Sequence, residues 1–135
     1  MLRRKKLKII IIDDDPAINL LLETALSKLG HDVLTFSDPA ACPLAQKETY
    51  TCSQDLLCAD VILTDIVMPN MSGIDLLKLQ EERGCRILKE NKAFISATTK
   101  DEHFEAIAEL GYKHFVKPFK LVDIVAWLGE CASRL

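Results

Sequence analysis

The sequence predicts an α/β fold in which helices cover both faces of a five-stranded parallel sheet, with the doubly wound strand order 2-1-3-4-5. Short apolar or β-branched runs alternate along the chain with longer segments whose apolar residues recur at helical spacing. The runs at residues 9–12 and 61–64 are apolar or β-branched throughout, which is typical of strands covered on both faces. Strands that alternate with helices indicate a parallel sheet, in which each helix connects two strands by a right-handed crossover.

The first half of the chain contains two predicted strands and a well-marked helix. A strand at residues 8–12 runs into three aspartates and Pro16. Proline suits the first turn of a helix and Asp15 suits its N-cap, so a helix is predicted from Pro16 until Gly30 ends it. Residues 32–36 form the second predicted strand. Prolines interrupt residues 37–59, where a helix over 43–50 and a turn over 55–58 are predicted.

The second half continues the alternation of strands and helices. Strands are predicted at residues 61–64, 92–97 and 114–116, and helices at residues 72–83, 100–110 and 121–134. Gly84 and Gly111 end the first two of these helices. The loop after residue 64 contains Pro69, Asn70, Ser72 and Gly73, which are turn-forming residues.

Composition limits the classes of protein to which the chain can belong. Its 135 residues fit one domain, predicted over residues 8–135 behind a basic tail at residues 1–7. Five of the 17 basic residues lie in the first eight positions, so the other 12 face 20 acidic residues and the body carries about −8. We therefore expect no direct nucleic-acid binding by the domain. No apolar run reaches membrane-spanning length, and five cysteines without C-x-x-C spacing predict reduced thiols in a cytoplasmic protein.

Chemically useful side chains follow four of the predicted strands. Asp13 and Asp14 follow the first strand and Asp65 follows the third, so the switch point of the sheet brings them into one crevice. Crowded carboxylates repel one another, and all-oxygen ligands of this kind suit Mg²⁺. Asp65 is then placed as a nucleophile toward a phosphoryl group, with Lys117 supplying an ammonium and Ser96 a hydroxyl. Each of these residue types is common in turns or on protein surfaces, so the prediction of a phosphoryl-transfer site depends on their combination.

Four stretches make the sequence resemble the receiver domains of bacterial two-component response regulators, which have a flavodoxin-like fold. They are residues 11–16, 64–73, 95–97 and 115–119, and the resemblance extends from about residue 8 to the C-terminus. It implies a phosphorylation-dependent signalling switch rather than an enzyme acting on a separate substrate. The expected phosphodonor is the phosphohistidine of a sensor histidine kinase or of a histidine phosphotransfer protein.

The resemblance assigns roles to individual residues. Asp65 corresponds to the phosphoacceptor, and the peptide bond between Lys117 and Pro118 is expected to be cis. The implied magnesium ligands are Asp13, Asp14, Asp65 and the main-chain carbonyl of Val67, and the implied phosphoryl-binding residues are Lys117, Ser96 and Ala97. Ser96 also corresponds to the switch hydroxyl.

The sequence departs from the family pattern at three places. The segment between Gly30 and Asp65 is longer than usual, with the extra residues near 42–58. The position three residues before Lys117, where the family has a switch aromatic, is His114, and Phe115 is next to it, so either can be the switch residue. A charge on His114 near pH 6.5 would bias the switch. Val67 lies where a polar side chain can position attacking water, so we expect slow loss of the phosphoryl group.

Family receivers dimerise or bind targets through the fourth helix, fifth strand and fifth helix, which here are residues 100–110, 114–116 and 121–134. Trp127 either contributes to that surface or packs at the edge of the core.

Two further hypotheses belong to other classes of protein. One is a receiver-like interaction module that takes no phosphoryl group. The other is a phosphatase of the haloacid-dehalogenase type, whose Asp-x-Asp motif would be Asp13 and Asp15, although Ala17 does not match the residue expected there.

Overall fold

The computed structural model describes residues 6–38, 59–68, 71–97 and 101–135, without the side chains of residues 101–104 and 106. Its parallel sheet has the predicted order β2-β1-β3-β4-β5. The strands are β1 (Lys8–Ile12), β2 (Asp32–Phe36), β3 (Val61–Thr64), β4 (Lys92–Ser96) and β5 (Lys113–Val116). The helix predicted at residues 43–50 and the turn at 55–58 lie outside the described residues.

Four α-helices flank the sheet in the described part of the chain. They are α1 (Pro16–Lys28), α2 (Gly73–Glu82), α3 (Asp101–Leu110) and α4 (Leu121–Ser133). Asp15 caps α1 by accepting a hydrogen bond from the Ala17 amide at 2.9 Å, as its position before Pro16 predicted. Ser72 caps α2 in the same way, through the Asp75 amide at 3.0 Å.

Two strand boundaries differ by one residue from their predicted positions. The first three strands have their predicted bounds, whereas β4 ends one residue earlier than predicted and β5 begins one residue earlier. In the register, Lys113 pairs with Ala93 and Ser96 pairs with Val116, so both ends are set by the neighbouring strand. The 3₁₀ turn at Lys89–Asn91 was not predicted.

Two apolar layers cover the two faces of the sheet. One layer joins α1 and α4 to the sheet through Leu22, Leu26, Ile124, Trp127 and Leu128, and the other contains α2 and α3 residues such as Ile74, Leu77 and Ile107. Because side chains alternate along a strand, residues of β1, β3 and β4 contribute to both layers.

Trp127 belongs to the core. Only 4% of its surface is exposed, and its ring packs edge-on against Phe115 with 5.7 Å between ring centroids. The structure thus decides between the two alternatives for this residue in favour of packing. Val122, by contrast, is 67% exposed on α4. Among the helices that the structure describes, none has both the length and the apolar character needed to cross a membrane.

Candidate functional site

The acidic residues meet at the carboxyl ends of β1 and β3. These strands are neighbours, with Ile12 paired to Thr64, and the Asp65 amide donates to the Ile12 carbonyl at 2.8 Å. Asp13, Asp14 and Asp65 each offer a carboxylate oxygen, and these oxygens lie within 4.8 Å of one another. The crevice predicted from the strand order is therefore present.

Asp13 is fully buried and held at both carboxylate oxygens. Its Oδ1 accepts a hydrogen bond from the Asp15 amide at 2.9 Å, and its Oδ2 accepts one from Lys117 Nζ at 2.8 Å. A buried carboxylate requires partners of this kind because its desolvation is otherwise uncompensated. The loop after β1 and the end of β5 together supply them.

Asp65 lies beside this pair and is also largely buried. Its Oδ1 accepts from the Ile66 amide at 2.7 Å, and its Oδ2 is 3.5 Å from Lys117 Nζ. Burial raises the pKa of Asp65, and the Asp13 charge raises it further, while Lys117 and the Ile66 amide work in the opposite direction. At Asp65, burial and the neighbouring carboxylates therefore outweigh the opposing effects of the Lys117 ammonium and the Ile66 amide.

Lys117 contacts both carboxylates from the end of β5, which β4 separates from β3 in the sheet. Although burial works in the opposite direction, its hydrogen bond to Asp13 and the Asp65 charge raise the pKa of the ammonium group. The main-chain amide of Lys117 donates to the Ser96 carbonyl at 2.8 Å. The peptide bond between Lys117 and Pro118 is cis, as the resemblance predicted.

The remaining predicted site residues lie around this centre. Ser96 is buried at the end of β4, and Ala97 follows it with an exposed side chain. Val67 lies two residues after Asp65, and 61% of its surface is exposed.

The two candidates for the switch position lie on opposite faces of β5. Phe115 pairs with Ile95 and belongs to the layer of α1 and α4, where it contacts Trp127. His114 pairs with Phe94, which belongs to the layer of α2 and α3. Burial lowers the pKa of His114, so its protonation falls below the range near pH 6.5 that the sequence suggested.

We predict that protonation of His114 destabilises the fold. Its pKa in the folded state lies below the ordinary value of 6.5, so the unfolded chain binds the proton more readily. The His114 contribution is therefore fully present above pH 6.5 and is lost as the pH falls through the folded pKa. Urea unfolding at pH 7.5 and 5.5 should show a smaller loss of stability for His114→Phe than for the parent. Equal losses would contradict the prediction.

Two residues near the site were not identified as such from the sequence. Gly73 begins α2 where an added Cβ would collide with the Asp65 carbonyl oxygen, and its amide donates to the Ile66 carbonyl at 2.8 Å. Asn19 is a buried polar residue on the inner face of α1, and its side chain donates to the Asp13 carbonyl at 2.8 Å. The sequence features that could have pointed to them are a glycine at the start of a predicted helix, for Gly73, and a polar residue within an apolar helical stripe, for Asn19.

The acidic cluster fits a magnesium ion by the chemistry of its donors. All three side chains offer carboxylate oxygens, which are the ligands that Mg²⁺ prefers. Burial raises the pKa of Asp65 and the neighbouring Asp13 charge raises it further, and a divalent cation would offset that charge.

The fold is that of an open α/β protein, and the acidic cluster lies at the topological switch point of its sheet. Comparison with known protein families identifies the family within this fold class. The profile described as "Response regulator receiver domain" matches residues 9–128, and the chain belongs to this family. The resemblance predicted from four stretches is confirmed.

Individual relatives support the family assignment. The chain is 32% identical over 133 residues to the alkaline phosphatase synthesis transcriptional regulatory protein PhoP of Bacillus subtilis, covering 94% of this chain and 49% of PhoP. It is 28% identical over 130 residues to the DNA-binding transcriptional regulator NtrC of Rhizobium meliloti, covering 93% of this chain and 24% of NtrC. The chain thus spans a quarter to a half of the length of these relatives.

Solved structures show the same fold. The receiver domain of the Francisella response regulator 1452 has a TM-score of 0.75 at 23% identity, covering 96% of this chain and 98% of that one. The N-terminal domain of the uncharacterized protein WS1339 from Wolinella succinogenes has a TM-score of 0.75 at 26% identity and covers 94% of each chain.

Proposed function

We propose that the domain is a phosphorylation switch in which Asp65 accepts a phosphoryl group from a phosphohistidine, in a reaction that requires Mg²⁺. The donor would be a sensor histidine kinase or a histidine phosphotransfer protein. The observation that carries the proposal is the Lys117 ammonium, which contacts Asp13 at 2.8 Å and Asp65 at 3.5 Å within the acidic cluster. A lysine so placed can offset charge on phosphoryl oxygens next to a carboxylate nucleophile.

The proposed step forms an acyl phosphate on Asp65. A carboxylate oxygen attacks the phosphorus atom, the P–N bond of the donor breaks, and its electron pair returns to the imidazole. The Ile66 amide, which donates to Asp65 Oδ1 at 2.7 Å, holds the carboxylate in place. Hydrolysis of the acyl phosphate by water resets the switch.

Four groups would hold the magnesium ion: the carboxylates of Asp13, Asp14 and Asp65 and the main-chain carbonyl of Val67. The ion would neutralise charge on the transferred phosphoryl group. The proximity of the three carboxylate oxygens supports this assignment.

The switch would connect the site to the edge of the sheet. We assign one switch position to Ser96, whose hydroxyl would bond the phosphoryl group. We assign the other to His114, because Phe115 is packed in the core layer of α1 and α4. Ala97 would leave room beside the phosphoryl group.

The partner surface would be the face formed by α3, β5 and α4, used for a homodimer or a target protein. A groove of about 490 Å³ lies between β5 and α4, and the exposed Val116 lines it. Val122 is also exposed on α4. The acidic body argues against nucleic-acid contact by this domain itself, although relatives such as NtrC are DNA-binding regulators. Free thiols at Cys85 and Cys131 support a cytoplasmic location.

Acetyl phosphate provides a direct test of the proposed function. The parent protein, incubated with acetyl phosphate and Mg²⁺, should gain one phosphoryl group by intact-mass measurement, and Asp65→Asn should gain none. Asp60→Asn, which changes an aspartate before β3 rather than after it, is the matched control and should behave as the parent. No gain by the parent would favour the interaction-module hypothesis.

The haloacid-dehalogenase hypothesis loses its support. Its second aspartate, Asp15, caps α1 through the Ala17 amide. The family assignment also places the chain among receivers.

We predict that Val67 slows the loss of the phosphoryl group. Its side chain is exposed beside Asp65 and cannot hydrogen-bond an attacking water. Val67→Asn should therefore shorten the lifetime of the acyl phosphate by about tenfold. Decay followed by intact mass measures the effect, and Val122→Asn, at a similarly exposed valine on α4, should leave the lifetime unchanged. A parent lifetime of seconds would refute the prediction.

A further inference from the structure

Asn19 makes an unusual set of contacts for a residue on the inner face of a helix. It is about nine-tenths buried, and its Nδ2 donates to the main-chain carbonyls of Asp13 at 2.8 Å and Phe36 at 3.3 Å. Two carbonyl acceptors require the NH₂ group on that side, so the orientation of the amide is chemically determined.

The other half of the amide is unsatisfied. Asn19 Oδ1 is buried and accepts no hydrogen bond within the described part of the chain. An apolar side chain would pack with Leu22 and Leu26 on the same buried face of α1 and would remove the unpaired Oδ1, but it would also take away the donor to the Asp13 carbonyl. The packing of α1 therefore does not explain why residue 19 is an asparagine. The hydrogen bonds that its side chain donates do explain it.

The three carboxylates of the site are held unequally. Asp13 accepts hydrogen bonds at both oxygens, and Asp65 accepts from the Ile66 amide and faces Lys117. Asp14 is exposed, and its carboxylate accepts no hydrogen bond among the residues that the structure describes. No hydrogen bond within the described residues therefore holds this side chain, and the backbone fixes only the position and direction of its Cα–Cβ bond.

Asn19 acts on that backbone. The Asp13 carbonyl belongs to the planar peptide unit that ends at the Asp14 amide and Cα, so a hydrogen bond to the oxygen fixes the plane. The second bond, to Phe36, ties this plane to the end of β2, whose carbonyl also accepts from the Asp13 amide at 3.0 Å.

We propose that Asn19 is a positioning residue that aims the Asp14 carboxylate into the metal-binding crevice through the peptide between Asp13 and Asp14. The inference rests on the proposed function, because it concerns the site that would hold Mg²⁺. Loss of a group that orients a metal ligand typically weakens metal binding by tenfold or more.

The test is a Mg²⁺ titration of the full chain without any phosphodonor, followed by backbone amide chemical shifts. Asn19→Leu should bind Mg²⁺ about tenfold more weakly than the parent while still unfolding cooperatively in urea. Leu26→Val, on the same buried face of α1, is the matched control and should bind as the parent. Asn19→Ala provides a second variant if the leucine perturbs the fold.

A double-mutant cycle separates positioning from general destabilisation. In an Asp14→Asn background, Asn19→Leu should change the Mg²⁺ affinity by less than about twofold, because the group that it orients is already removed. Equal affinities of the parent and Asn19→Leu, or a full tenfold effect in the Asp14→Asn background, would overturn the inference alone. A parent that binds no Mg²⁺ would overturn the proposed function together with it.

Discussion

Replacing Lys117 with methionine should slow phosphoryl uptake from acetyl phosphate on the order of 100-fold, because it removes the one ammonium that contacts Asp13 and Asp65 among the residues that the structure describes. The same change leaves the fully buried Asp13 carboxylate without its charged partner. We therefore expect the free energy of unfolding to fall by about 3 kcal/mol without Mg²⁺. Initial rates by intact mass and urea unfolding measure the two effects.

Lys120→Met is the matched control for this prediction. Lys120 is exposed and lies three residues after Lys117, before the start of α4. Its replacement should leave both the uptake rate and the stability close to those of the parent. An uptake rate of Lys117→Met within a factor of two of the parent would show that the ammonium has no part in the transfer.

Gly73→Ala should both destabilise the domain and impair the site. An added Cβ would collide with the Asp65 carbonyl oxygen and come within 3.3 Å of Ile66 Cα, and both are backbone atoms that cannot move aside as a flexible side chain can. We expect a loss of about 3 kcal/mol in the free energy of unfolding. Phosphoryl uptake should fall as well, because the displaced backbone carries the nucleophile.

Gly129→Ala is a suitable comparison because the same chemical change has space there. An added Cβ at this exposed position of α4 meets nothing within 4 Å, and Gly129 does not have a positive φ. This variant should gain about 0.5–1 kcal/mol, since alanine favours a helix over glycine. A Gly73→Ala protein as stable as the parent would mean that the start of α2 can move away from Asp65 at little cost.

The gross fold could be predicted because local signals agree with the tertiary structure. The isoleucines of β1 read as a buried strand, and Asp15 with Pro16 marked the start of α1. The acidic cluster followed from topology, since neighbouring parallel strands bring their carboxyl ends together. These inferences depend on residue type and order, which a single sequence contains.

Contacts between distant segments could not be predicted in this way. From the sequence, Trp127 could pack inward or remain on the surface. In the structure it packs inward against Phe115. The faces of β5 on which His114 and Phe115 lie depended on the register between β4 and β5, because a shift by one residue exchanges the faces of a strand.

Residue types and their order along the chain were enough to predict the order of the elements, the acidic residues at the strand ends and the family to which they point. Only the tertiary structure decided which groups hold them: Lys117 reaches Asp13 across 104 positions of the chain, and Asn19 ties the peptide after Asp13 to the end of β2. The physical reason is that spacing along the chain encodes local conformation. Hydrogen bonds between side chains and distant backbone depend on how whole helices and strands pack.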